Sequence, residues 1–326
     1  MTQRADSIVD AIYRNYEDRA RASQEWKRRH LGASVIGHKC DRYLWLHFRW
    51  ARDPKHPGQR LRLFDRGNVE EPRLHRDLQA IGWTVRSFGD DGAPRRQPWA
   101  EGMHVGGGGD RYIEREDGPI RRALMEGKTA NAKQFARLVR LGVREAKPDH
   151  YIQAQVYMAI YALSWCLYLC VNKDDEGLHA EWIAFDEQFA LAALHRANAI
   201  VLMKEPPAKL PAAEYPPCRW TSNEGKVFLC DYYRICHGDE LPERNCRTCV
   251  HATAAPFGQW RCEDLGGELL SRDEQAVGCL EHRWIPPIIN AQVAAVGCDE
   301  RHGGYVDYQF ADGTKLRDVG PRAPKT

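Results

Sequence analysis

An apolar stretch of 16 residues, 156–171, most constrains what this chain can fold into. It contains Ser164 and directly follows Gln153 and Gln155. A helix needs about 20 predominantly apolar residues to cross a bilayer, so a membrane span is disfavoured and no membrane partner is expected. The stretch instead predicts a long helix over residues 149–171, buried in the core of a globular protein.

Length and composition favour one large domain with a smaller module. The chain has 326 residues, of which 43% are hydrophobic and 28% are charged, a balance typical of globular proteins. Lys and Arg number 47 against 45 for Asp and Glu, so overall charge indicates no partner. The first 22 residues are polar and lack the apolar segment of an export signal, so we expect a cytoplasmic protein.

The eleven cysteines are unevenly distributed, and six of them lie between residues 218 and 262. In a reducing compartment such clustering favours metal binding over disulfides. The spacing Cys246-x2-Cys249-x12-Cys262-x16-Cys279 suits tetrahedral zinc in a segment with little core of its own. His251 and His282 are alternative ligands, and buried cysteines without metal are the alternative interpretation. Cys166 and Cys170, in the predicted helix, are expected to be small buried hydrophobic residues.

Acidic residues in two predicted strands form a candidate catalytic site. A glycine-rich segment ends at Asp110, and the strand that follows carries Glu126-Gly127-Lys128. Residues 126 and 128 of a strand project to the same face, and Mg²⁺ or Mn²⁺ could bind both carboxylates. Lys128 could orient water or stabilise a pentacoordinate transition state. A hairpin with surface charges is the alternative, whereas a P-loop is excluded because Arg122 replaces its first glycine.

Two helices could contribute further polar groups to this site. Glu71 lies on a helix predicted over residues 62–81, and its alternative interpretation is an ordinary exposed charge. Gln153 and Tyr157, spaced i and i+4, share one helix face. Polar groups entering a buried helix need hydrogen-bonding partners, and DNA or a catalytic carboxylate would supply them. A first turn that is still exposed to solvent is the alternative.

Together these motifs resemble the PD-(D/E)xK nuclease superfamily, in particular its RecB-like exonuclease branch, over residues 31–236. That branch includes CRISPR-associated iron–sulfur nucleases and phage recombination exonucleases. The resemblance implies an α/β fold with a restriction-endonuclease-like mixed sheet flanked by helices. It implies the following residue roles: Asp110 and Glu126 bind Mg²⁺ or Mn²⁺, the carbonyl of Gly127 is a further ligand, Lys128 acts on water or phosphate, Glu71 adds a carboxylate, and Gln153 and Tyr157 position the DNA.

The first motif departs from the family pattern. Relatives often have histidine after the motif glycine, whereas Asn68 follows Gly67 here. This departure leaves open whether Glu70 or Glu71 is the functional carboxylate.

The resemblance also implies a [4Fe–4S] cluster that joins the two ends of the nuclease fold. Its ligands would be Cys40, in Ser34-x2-Gly37-x2-Cys40-x-Arg42, and three later cysteines, Cys218, Cys230 and Cys236. The gap of 11 residues between Cys218 and Cys230 is longer than in relatives. A zinc site, or Cys40 as a simple core residue, is therefore an alternative.

We therefore predict three units: a nuclease domain over 1–240, a zinc module over 241–290, and a small β appendage over 291–326 with a hairpin that turns at Asp312-Gly313. The predicted function is metal-dependent hydrolysis of DNA ends in recombination or repair, in a chain that could be phage-encoded. DNA is the expected substrate, and a single-strand annealing or single-strand-binding protein is a candidate partner. The alternatives are a non-catalytic DNA-binding module and a structure-selective or CRISPR-adaptation nuclease.

Overall fold

The computed structural model describes residues 5–23, 27–107, 111–210, 216–221, 225–299 and 303–320. Its helices are α1 (Asp6–Ser23), α2 (Asp41–Phe48), α3 (Gly58–Ala80), α4 (Pro98–Glu101), α5 (Ala132–Ala146), α6 (Pro148–Tyr161), α7 (Glu187–Leu202), α8 (Tyr233–His237) and α9 (Arg272–Val277). Its strands are β1 (Leu31–Gly32), β2 (Thr84–Arg86), β3 (Val105–Gly106), β4 (Arg111–Glu114), β5 (Arg122–Ala130), β6 (Trp165–Asn172), β7 (Leu178–Ala184), β8 (Arg219–Thr221), β9 (Val227–Leu229), β10 (Ala252–Ala255), β11 (Gln259–Cys262), β12 (Glu268–Leu269), β13 (Ala291–Asp299), β14 (Gly303–Phe310) and β15 (Lys315–Asp318).

The central element is a mixed five-stranded sheet in the order β2-β4-β5-β6-β7. β5 and β6 are parallel, and the other neighbouring pairs are antiparallel. α3 covers one face, where Leu74 packs in a cluster with Met125 and Leu169. α5, α6 and α7 cover the other face, where Leu124 and Tyr168 belong to the largest core cluster. The predicted α/β fold, a mixed sheet flanked by helices, is therefore confirmed.

The long helix predicted over residues 149–171 is wrong. α6 ends at Tyr161, where Ala162 adopts a left-handed conformation with φ of 53°, and the chain continues as strand β6. β6 lies between β5 and β7 and is buried almost throughout. A strand covered on both faces is apolar at successive positions, so apolar content alone could not distinguish it from a buried helix. Cys166 and Cys170 are buried as expected, but they lie on this strand.

Several shorter predictions are confirmed. α3 covers the helix predicted over 62–81 except for its last residue, and β4 pairs with β5, as predicted for the glycine-rich segment and the strand that carries Glu126. The β14–β15 hairpin turns at Asp312-Gly313, and β13 extends it to a three-stranded sheet.

Within the described ranges, no helix has the length and apolar character needed to span a membrane.

The cysteine-rich segment, residues 241–290, packs directly against the N-terminal part of the chain. Arg247, fully buried, donates a hydrogen bond of 2.9 Å to the carbonyl of Phe48 at the end of α2. Its guanidinium lies 3.6 Å from the ring centroid of Trp50 and 5.0 Å from that of Trp260, distances at which cation–π attraction is appreciable. The largest core cluster accordingly includes residues from both segments, while the predicted domain boundaries stay a prediction.

Candidate active site

Glu126 lies near the middle of β5, and its side chain is fully buried. Alternation along the strand places residues 126 and 128 on the face covered by α6, and Lys128 Nζ contacts Glu126 Oε1. Gly127 faces the opposite side, where a Cβ atom would lie 3.2 Å from Leu74 Cδ1 of α3. The predicted proximity of Glu126 and Lys128 is confirmed.

α6 supplies the second donor to the buried carboxylate. Gln153 Nε2 donates a hydrogen bond of 3.0 Å to Glu126 Oε1, the same oxygen that Lys128 contacts. A carboxylate has two oxygens with about four acceptor positions, so it can accept both donors and still coordinate a cation. Gln153 therefore has the carboxylate of Glu126 as its partner, which is the carboxylate that the sequence made a candidate for catalysis.

Tyr157, one turn after Gln153, packs against the glycine-rich segment. Gly107 has φ of 155°, and a Cβ atom there would lie only 2.6 Å from Tyr157 Oη. Only glycine tolerates both this backbone conformation and this close approach. One face of α6 thus contacts the carboxylate of β5 and also the chain three residues before Asp110.

Asp110 itself lies outside the described residues, so its role as a metal ligand stays a prediction. The described part of β4 begins at Arg111, which pairs with Met125, the residue before Glu126.

Glu71 lies on α3, the helix that packs on the sheet face opposite to Glu126 and Lys128. Glu71 Oε1 lies 3.4 Å from His75 Nε2, and Glu70 Oε1 lies 3.5 Å from Arg73 Nη1. These pairings do not distinguish between the two glutamates, and a ligand role for Glu71 stays a prediction.

The sequence did not reveal a second polar pair beside Glu126. Tyr168 of β6 is the register neighbour of Glu126, and its hydroxyl lies 2.8 Å from His150 Nδ1 at the start of α6. Burial lowers the pKa of His150 to about 4, an effect that the charge of Lys128 reinforces, so the imidazole is neutral at pH 7. Tyr168 was overlooked because its segment was predicted to be helical, whereas recognition of β6 as a strand parallel to β5 would have placed it here.

The four cysteines assigned to a cluster come from two parts of the chain: Cys40 caps α2, whereas Cys218 precedes β8, Cys230 follows β9 and Cys236 lies in α8. The backbone N–H of Cys230 donates to the carbonyl of Cys218 across the β8–β9 hairpin, at 2.8 Å. Burial raises the pKa of the Cys218 thiol, and the charges of Cys40 and Cys236 raise it further. Burial likewise raises the pKa of Cys230 to about 12.

The four cysteines assigned to zinc line one small cavity of about 10 Å³, which has room for about one water or ion. They are Cys246, Cys249, Cys262 and Cys279, and His251 and His282 also line the cavity. Burial raises the pKa of Cys246 to about 12, and the other three thiols contribute. Across the described ranges, no three or more His, Cys, Asp or Glu side chains are already arranged as a metal site, so both cysteine assignments stay predictions.

Comparisons with known proteins add little. No protein-family model and no curated protein matches the chain. Among solved structures, an alkaline exonuclease from Laribacter hongkongensis, LHK-Exo, matches at 18% identity and a TM-score of 0.39, over 55% of this chain and 91% of its own. The same exonuclease in complex with dAMP gives the same values. SSO0001 matches at 13% identity and a TM-score of 0.33, over 60% of this chain and 85% of its own. TM-scores this low do not establish a shared activity.

The contact between Gly107 and Tyr157 generates a stability prediction. Gly107→Ala should lower the free energy of unfolding by about 2–5 kcal/mol, because it combines a disfavoured φ with a steric clash. Gly82→Ala is the matched control, since Gly82 also has a positive φ, of 92°, but a Cβ atom there would have no neighbouring atom within 4 Å. Urea unfolding measures both variants. Equal losses in the two variants would contradict the close packing of Tyr157 on Gly107.

Proposed function

We propose that this chain is a metal-dependent DNA nuclease that hydrolyses phosphodiester bonds. The observation that carries the proposal is the arrangement around Glu126, a fully buried carboxylate contacted by Lys128 and by Gln153. Burying a carboxylate is costly unless it is paired and hydrogen-bonded, and purely structural strands seldom retain one. The same three residues belong to the motif set that resembles PD-(D/E)xK nucleases.

The donors proposed for the metal fit a hard cation. Oxygen ligands suit Mg²⁺ and Mn²⁺, and we assign Glu126, the carbonyl of Gly127 and Asp110 as ligands. Glu71 is not part of this set, because α3 packs on the sheet face opposite to the Glu126 side chain. When bound, Mg²⁺ or Mn²⁺ would supply Lewis acidity that activates water and neutralises charge on the phosphate. Asp110 is essential to this assignment, because the described residues contribute only part of the ligand set.

The chain's own residues would orient the reaction. Lys128 keeps an ammonium group next to the Glu126 carboxylate, where it can hold the attacking water or stabilise negative charge as it develops on the phosphate. Gln153 fixes the Glu126 carboxylate through Oε1. Tyr157, packed on Gly107, would position the segment that leads to Asp110 and the DNA strand that passes it.

Action at DNA ends is the finer part of the proposal, and it rests on the resemblance to RecB-like exonucleases. An enzyme of this kind would act in recombination or repair, in a phage or its host. It would expose single-stranded DNA, and a single-strand annealing or single-strand-binding protein would then be its natural partner.

A cleavage assay on end-labelled linear DNA tests the nuclease proposal. With Mg²⁺ or Mn²⁺ the wild type should release labelled fragments, and Glu126→Gln should slow release by about 100-fold or more because a charged ligand is lost. Glu145→Gln, an exposed glutamate on α5, is the matched control and should cleave normally.

Two results would contradict the proposal, the first its catalytic activity and the second its action at DNA ends. Binding of DNA without cleavage by the wild type would favour a non-catalytic DNA-binding module. Cleavage of covalently closed circles as fast as linear DNA would favour a structure-selective or CRISPR-adaptation endonuclease over an exonuclease.

We further propose that the two cysteine groups bind different metals. Four thiolates suit either an iron–sulfur cluster or zinc. We assign a [4Fe–4S] cluster to Cys40, Cys218, Cys230 and Cys236, and Zn²⁺ to Cys246, Cys249, Cys262 and Cys279. Burial raises the pKa of the Cys236 thiol, and the cationic Arg42 beside it partly opposes that rise.

Elemental analysis of anaerobically purified protein tests both assignments. Iron and zinc should both be present, Cys230→Ser should lose iron and its visible absorption, and Cys249→Ser should lose zinc alone. The exposed Cys298 belongs to neither group, so Cys298→Ser should retain both metals. Absence of iron from the wild type, or loss of the same metal from all three variants, would contradict the assignments.

A further inference from the structure

A cleft of about 680 Å³ lies where α1, the loop before α3 and the start of the cysteine-rich segment meet. Its volume is within the range of about 300–1,000 Å³ that is typical of ligand sites. None of the described residues of β5 or α6 lines it, so the cleft is separate from the candidate active site. No motif in the sequence pointed to it.

Basic side chains outnumber acidic ones around this cleft. Three acidic residues line it, namely Glu17, Asp53 and Glu243, and Glu17 accepts a hydrogen bond of 2.8 Å from the Gly58 backbone N–H. Five basic residues also line it: Arg21, Lys27, Arg28, Lys55 and Arg244. Arg244 is paired with the buried Asp318 at 2.8 Å, whereas Arg21 and its partner Asp18 are both exposed to solvent. Basic groups that line a concave surface and stay exposed to solvent can meet the phosphates of a nucleic acid.

The cleft also contains an exposed aromatic ring. Phe64 of α3 lines it, and 48% of this residue is accessible to solvent. The Arg60 guanidinium lies 5.5 Å from the ring centroid, and His56 approaches the ring edge-on at 5.3 Å. An exposed ring close to basic side chains is a combination that binds single-stranded nucleic acids, because bases stack on the ring while phosphates meet the charges.

We propose that this cleft binds single-stranded DNA, an inference that rests on the proposed nuclease function. In a duplex the base faces are covered, so the exposed ring selects for an unpaired strand.

Fluorescence anisotropy with a labelled single-stranded oligonucleotide tests this inference, with Ca²⁺ in place of Mg²⁺ to prevent cleavage. Phe64→Ala should raise Kd by about 5- to 100-fold, as expected for the loss of one stacked base. Lys55→Ala should reduce the slope of log K against log salt by about 0.7, as expected for one phosphate contact on a single strand. A duplex of equal length should compete poorly.

Two control variants lie outside the cleft. Leu63→Ala removes a side chain of similar exposure from the next position of α3, and Lys204→Ala removes an exposed lysine; both should bind as the wild type does. Thermal unfolding should show that all four variants are folded. The inference is overturned if Phe64→Ala and Lys55→Ala bind like their controls, if duplex competes equally, or if the wild type does not bind single strands. A different result would separate the two proposals. If the wild type cleaves no DNA but the cleft variants bind single strands more weakly than it does, the nuclease proposal is contradicted and the assignment of the cleft stands.

Discussion

The Glu126 carboxylate occupies a position from which water is fully excluded, and the rest of the site depends on how that charge is accommodated. A buried carboxylate is tolerated only with donors in good geometry. One donor, Lys128, comes from two residues further along the same strand, and the other, Gln153, comes from α6. These contacts fix which face of β5 meets α6, and they leave Gly127 to pack against α3 on the other side. A shift of β5 by one residue would reverse both faces.

α6 is the element that joins the parts of the site. Gln153 contacts the carboxylate of β5, Tyr157 packs on Gly107 before Asp110, and His150 bonds to Tyr168 of β6. The remainder of the chain supports this arrangement from outside. Arg247 connects the cysteine-rich segment to the end of α2 through buried hydrogen bonds and aromatic contacts, so metal binding at the adjacent cysteines would be coupled to the stability of the whole fold.

Local patterns predicted much of the site, because residues that share one face of a strand or of a helix are only two to four positions apart in the sequence. The contact of Glu126 with Lys128 follows from the two-residue period of a strand, and that of Gln153 follows from its place among apolar neighbours. The course of residues 162–172 could not be predicted in the same way, since a strand buried on both faces has the composition of a buried helix. The cation–aromatic packing of Arg247 and the basic cleft beside Phe64 depend on segments far apart in sequence, which no local pattern encodes.

Binding of Mn²⁺ to the purified protein, measured by isothermal titration calorimetry without DNA, tests the central claim most directly. If Glu126 is a metal ligand, Glu126→Gln should weaken Mn²⁺ binding by at least about tenfold, or 1.4 kcal/mol, while Glu145→Gln should bind as the wild type does. Equal Mn²⁺ affinity in the wild type and in Glu126→Gln would mean that the buried carboxylate serves the fold alone, and would contradict the account.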